Sequence, residues 1–227
     1  MSSFQLLQQM PSSRELVQGS AYLLVLQNAL LVSFGFFYQT GSNGGPIVEL
    51  VIDFWLKTCL VLDLVAVGLL VGVFTQEVRV GRLELSKGLV ASIVMFLGWL
   101  VLTLTYRLFL SFPLGSPRSM LDRFSENPTE IALIMLVGSV FLMNALLLLV
   151  LDFFPARKEL TTITVIYSLL NLLGCFFLKD LSPTGEVLSL GLKGVIVPLV
   201  AIFLWVQLIP HLGEFFKTLE EEEEAPS

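Results

Sequence analysis

The sequence predicts an all-α, polytopic integral membrane bundle of about six transmembrane helices with short loops, and three observations carry that prediction. Hydrophobic residues make up 55% of the 227-residue chain and charged residues 14%, against roughly 45–50% and about 25% in a soluble domain. The mean hydropathy is +0.85. The apolar residues also form continuous Leu, Val and Phe runs without the alternation of a barrel strand. In lipid only helices and closed barrels satisfy every backbone group, so these runs are read as helices.

A helix rises about 1.5 Å per residue, so about 20 apolar residues cross the hydrocarbon core. Six spans follow, at 21–38, 54–74, 88–110, 130–152, 161–178 and 190–209. Residues 1–20 form a short polar segment. They lack a basic region running directly into an apolar one with a small-residue cleavage site, so the first span is expected to act as its own insertion signal. The sixth span contains Pro198, which is expected to kink it. The bundle as a whole is taken as 21–212.

The connections carry turn chemistry. Gly, Ser and Pro cluster at 39–46, 111–117 and 181–186, all on one side of the membrane by the span count, with 75–86 and 155–159 on the other. With the N terminus cytoplasmic, Arg14, Arg79, Arg82, Lys87, Arg157, Lys158 and Lys217 fall inside, while Arg107, Arg118, Arg123, Lys179 and Lys193 fall outside. This bias favours both termini on the cytoplasmic side and does not name the membrane. Residues 213–227, with the run Glu220 to Glu224, are expected to form a solvated, disordered acidic tail.

The second span carries charges that sort by depth. Residues 47–74 make about 42 Å of helix, longer than the hydrocarbon core of roughly 30 Å. Glu49 and Asp53 therefore sit at the outer interface, and Lys57, one turn inside, reaches it by its long stem. Arg107 of the third span lies about level with Asp53 by the same rise, which makes Asp53, Lys57 and Arg107 a candidate outer-interface ion-pair set. An exposed pair of this kind contributes about 0–1 kcal/mol and acts mainly on register.

Asp63 differs, because it lies about ten residues from either end of its span. An ionised Asp at that depth costs roughly 2.5–3.5 kcal/mol on insertion scales, so the side chain is expected to face the bundle interior, either ionised beside a partner or protonated. Gln27, Asn28, Asn144 and Asn171 fall within about two turns of its level. Together with Asp63 they form a candidate polar layer. The plainer reading is that the amides are interhelical glue, worth about 0.6 kcal/mol per bond; the functional one is a proton- or cation-handling site.

Gly68 and Gly72 make a GxxxG pattern that permits close helix approach, a pattern also common by chance. Gly98 and Gly174 are further candidate crossings. Cys59 and Cys175 lie within apolar spans, where a thiol behaves as a small hydrophobe.

The one histidine, His211, stands at the inner end of the last span. Paired-histidine haem or metal ligation therefore has no residues to draw on, and HExxH, G-x-S-x-G and a phosphate-binding glycine loop are all missing. No enzymatic role and no cofactor is expected. A net charge of −6 argues against nucleic acid.

The function expected is that of a non-enzymatic structural or assembly subunit of a membrane complex. Its partners would be the lipid bilayer and other membrane-protein subunits or copies of itself, met through lipid-embedded helix contacts. The alternative is a small channel or secondary transporter built on the polar layer around Asp63. The two differ in whether that level is packed or wet.

Overall fold

The computed structural model describes residues 12–40, 46–84, 86–111, 141, 144–154, 156–179 and 192–224. All regular structure among them is helical: α1 (Ser13–Thr40), α2 (Pro46–Val80), α3 (Lys87–Ser111), α4 (Asn144–Phe153), α5 (Lys158–Lys179) and α6 (Val197–Glu224). Among the described residues, three stretches are long and apolar enough to cross a membrane: Ser13–Ser33, Val61–Val80 and Gly194–Glu221. α1 lies between α2 and α6, α2 also packs on α3, and α5 packs on α6.

α1 begins well before residue 21, where the apolar run starts. A capping box sets its start: Glu15 N–H donates to Ser12 Oγ at 3.3 Å, and Ser12 N–H donates to Glu15 Oε2 at 3.1 Å. The added turns are not a polar lead-in, because Val17 and Ser20 are fully buried.

α2 ends in a Schellman turn. Gly81, at φ 84°, donates to Val78 O at 3.1 Å, and Arg82 N–H donates to Glu77 O at 3.0 Å. Ser86 then caps α3, its Oγ accepting from Leu89 N–H at 3.0 Å. The Ser86 hydroxyl also donates to Asp152 on α4. A Cβ added to Gly88 would meet Asp152 Oδ1 at 2.9 Å, so this carboxylate sits against the first turn of α3, where the helix dipole favours negative charge.

The disturbance expected at Pro198 takes the form of a π-helical turn, Leu192–Ile196, immediately before α6. Proline cannot donate to the carbonyl four residues back, and a wider turn over that gap absorbs the lost bond. Pro210 lies inside α6 without ending it. Leu212, Gly213 and Phe216 are buried beyond it, and that packing carries the helix through. The disordered tail expected from 213 is therefore corrected: the chain is helical to Glu224, and Lys217 pairs with Glu221 one turn on at 3.2 Å.

The core is one cluster. Along α2 the buried positions Cys59, Asp63, Ala66, Leu70, Val73 and Glu77 alternate in steps of four and three, the seam of a left-handed helix pair. On α1, Ser13, Val17, Ser20, Leu24 and Gln27 keep the same steps. At the Glu77 end, Phe74 stacks on Phe153 at 5.4 Å and tilts against Phe216 at 5.7 Å, while Phe215 meets Phe153 edge-on at 4.8 Å.

Gly68 and Gly72 do not line a crossing among the described residues: both are exposed, and a Cβ added to either meets nothing within 4 Å. The buried seam of α2 lies on its opposite face. Gly98 does take a neighbour, the Phe141 ring, 3.1 Å from an added Cβ.

Candidate functional site

Among the described residues, the buried carboxylates and the one buried amide lie at two levels of the α1–α2 seam. At the first, Gln27 Nε2 donates to Asp63 Oδ2 across 3.3 Å, and both side chains are only 4% exposed. The Cys59 thiol, one turn from Asp63, lies 3.9 Å from the Gln27 carbonyl. α5 adds Tyr167, which is buried, shares a side-chain hydrogen bond with Asn171 and lies within electrostatic reach of Asp63.

Three helices thus supply Gln27, Asp63, Tyr167 and Asn171 to one region. Asn28 turns away from it, donating instead to the Leu24 carbonyl of its own helix at 2.8 Å. Asn144 is half-buried on α4 beside Ala145, whose carbonyl accepts from Ser92 of α3 at 2.9 Å. Asp53, Lys57 and Arg107 belong to α2 and α3, but their side chains lie outside the described residues.

The second level was not read from the sequence. Glu77 is 1% exposed, accepts a hydrogen bond from the Ser13 hydroxyl at the start of α1, and holds Arg82 Nη1 at 3.5 Å. The Schellman turn brings Arg82 back over Glu77, since the two occupy the positions that usually make that motif's hydrophobic contact. Two signals could have found it. Ser12-Ser13-Arg14-Glu15 is a capping box that lengthens α1 to this level, and Glu77 continues the four-and-three spacing that contains Asp63.

Between the two carboxylates the α2 seam is wholly apolar. Ala66, Val67, Leu70, Val73 and Phe74 are each at most 3% exposed. Apart from Ser92, which bonds across to α4, the other buried hydroxyls among the described residues bond within their own helices: Ser20 to Leu16 O, Thr164 to Leu160 O and Ser168 to Thr164 O, each at 2.7 Å. Such bonds satisfy polar groups in a bilayer without tying helices together.

Comparison with family models, curated proteins and solved structures returned no match for this chain.

Proposed function

We propose that the chain is a non-enzymatic, multi-pass membrane protein serving as a structural or assembly subunit of a membrane complex. In this reading it crosses the bilayer six times with both termini on the cytoplasmic side. The observation that carries the reading is the apolar packing between Asp63 and Glu77. A conducting path along this seam needs water-lined polar surface, and five closely packed hydrophobic residues supply none. Outward-facing Val61, Val65, Val94, Val101, Leu169 and Phe203 leave the lipid-embedded surface as the main place for partners.

A small channel or secondary transporter is the second reading. It is favoured by the gathering of Asp63, Gln27, Tyr167 and Asn171 from three helices inside an apolar bundle.

Purification in mild detergent with mass measurement separates the two. The subunit reading expects a stoichiometric set of membrane proteins that dissociates when Val101 or Leu169 is replaced by Asn, while the chain itself melts unchanged. A lone chain that catalyses Asp63-dependent ion flux in liposomes overturns it. The six-crossing topology has its own test. Cysteines at positions 42 and 116 should label from one side and a cysteine at position 86 only from the other; labelling of 42 and 86 from the same side rules it out.

A further inference from the structure

We propose that Arg79, Lys87 and Arg157 form a binding site for the headgroup of an anionic phospholipid, with the exposed face of α3 as the track for its acyl chain. The inference rests on the membrane-spanning part of the reading above and not on the subunit role.

Two turns at one end of the bundle assemble the cations. The Schellman turn at Gly81 ends α2 and leads into α3, which sets exposed Arg79 in the last turn of one helix and exposed Lys87 at the first residue of the next. The Ser86 hydroxyl donates to Asp152 near the end of α4, and Arg157 follows one short turn later, its N–H donating to Phe154 O at 3.0 Å. Arg79, Lys87 and Arg157 therefore share this end, each of them exposed and without an ion pair among the described residues.

The nearby carboxylates leave a positive balance. Glu77 is buried against Arg82 and Ser13, and Asp152 takes the Ser86 hydroxyl at the first turn of α3. Lys158 and Glu159 offset each other, and exposed Glu84 offsets one cation. The glutamates at the end of α6 belong to a helix that packs chiefly on α1 and α5, whereas α3 packs on α2. In the orientation proposed above this end faces the cytoplasm, the leaflet whose anionic lipids attract Lys and Arg.

An apolar track continues from the cations. On α3 the exposed positions Lys87, Val90, Val94, Leu97 and Val101 recur in steps of three and four, one continuous face with its charge at the end. From Lys87 to Leu97 this face rises about 15 Å, the depth of one leaflet in a hydrocarbon core of roughly 30 Å. Val80, exposed next to Arg79, adds apolar surface at headgroup level. A face that is cationic at one end and apolar for one leaflet's depth has the form of a single lipid: phosphate at the cations, acyl chain on Val90, Val94 and Leu97. The guanidinium groups of Arg79 and Arg157 offer paired donors to phosphate oxygens. A zwitterionic lipid brings its own cation to the same place and gains less.

Spin-labelled lipids in phosphatidylcholine liposomes holding the full-length protein test this. The motionally restricted fraction of labelled phosphatidylglycerol should exceed that of labelled phosphatidylcholine severalfold. The excess should fall to parity when Arg79→Gln, Lys87→Gln and Arg157→Gln are combined, and persist in Lys217→Gln. In the unmutated protein it should shrink as sodium chloride is raised, which keeps the test valid if the triple variant does not insert. Equal restriction of the two labels by the parent overturns the proposal, as does an excess that survives the triple variant or ignores salt. Displacement of the label by inorganic phosphate at matched ionic strength overturns it in favour of a free-anion site. Restriction of neither label would remove the membrane-spanning reading itself, and the lipid site with it.

Discussion

Gln27 donates to Asp63 and, fourteen residues away on both helices, Ser13 donates to Glu77. Two heptads separate the rungs on each chain, about 21 Å of helix. Antiparallel helices joined at one rung can slide or splay. Joined at two rungs with matching spacing, they have one register, the use of buried polar seam positions best attested in coiled coils.

The first prediction concerns the inner partner of Gln27. Asp63→Asn keeps a hydrogen-bonding group opposite the amide and should melt close to the parent in detergent. Asp63→Leu strands Gln27 in an apolar seam and should lose about 1–3 kcal/mol, the cost of an unsatisfied buried polar group. Equal stability for the two variants would mean that the rung contributes nothing.

The second concerns the other rung. Removing one partner of a buried ion pair costs about 3–5 kcal/mol, but the Arg82 side chain is 28% exposed and water can recover part of that loss. Glu77→Ala should therefore destabilise by about 1–3 kcal/mol, the cost of leaving buried polar partners unsatisfied. In a double-mutant cycle, Ser13→Ala and Glu77→Ala should be non-additive, because each removes the same bond. Strict additivity in chemical denaturation would show that the Ser13 contact carries no energy.

How far the sequence reached depends on the physical signal each feature leaves. The helical class and the inward direction of Asp63 were legible because the cost of bare charge in lipid is large and local. The helix rise placed Gln27 among four amides near the level of Asp63, without choosing between them. Tyr167 was passed over because an aromatic in an apolar run reads as packing, and nothing in its neighbours distinguishes a phenol turned inward. Glu77 fell within the connection 75–86, since hydropathy does not sense the turn that brings Arg82 back onto it. The helix beyond residue 213 was missed because a run of like-charged Glu reads as a solvated tail, whereas here the burial of Phe216 carries the helix on.

The third prediction contrasts glycines. Gly81 has φ 84°, a conformation that costs an L-residue about 1–2 kcal/mol. Gly81→Ala should lower stability by about that amount and loosen Arg82 from Glu77. Gly68→Ala and Gly72→Ala meet no neighbour within 4 Å, and replacing glycine inside a helix gains about 0.5–1 kcal/mol. They should melt at or above the parent. A marked loss at Gly68 or Gly72, with Gly81→Ala silent, would falsify this assignment of the three sites.

The fourth prediction separates the two halves of the C-terminal helix. Glu220 and Glu221 contribute little to the core, and the Lys217–Glu221 pair is exposed on both sides, so deleting residues 220–227 removes mainly solvated charge. That truncation should insert and melt like the full chain. Ending the chain at Gly213 instead removes Phe215 and Phe216, and with them the ring contacts to Phe153 and Phe74 that close the Glu77 end of the bundle. Truncating one large buried aromatic costs about 3–5 kcal/mol, so the shorter chain should be poorly folded, and Phe216→Ala in the full chain should reproduce much of the loss. If the cut at Gly213 were as stable as the cut at Leu219, the aromatic cluster would be incidental and the helix beyond Pro210 would owe its form to local propensity alone.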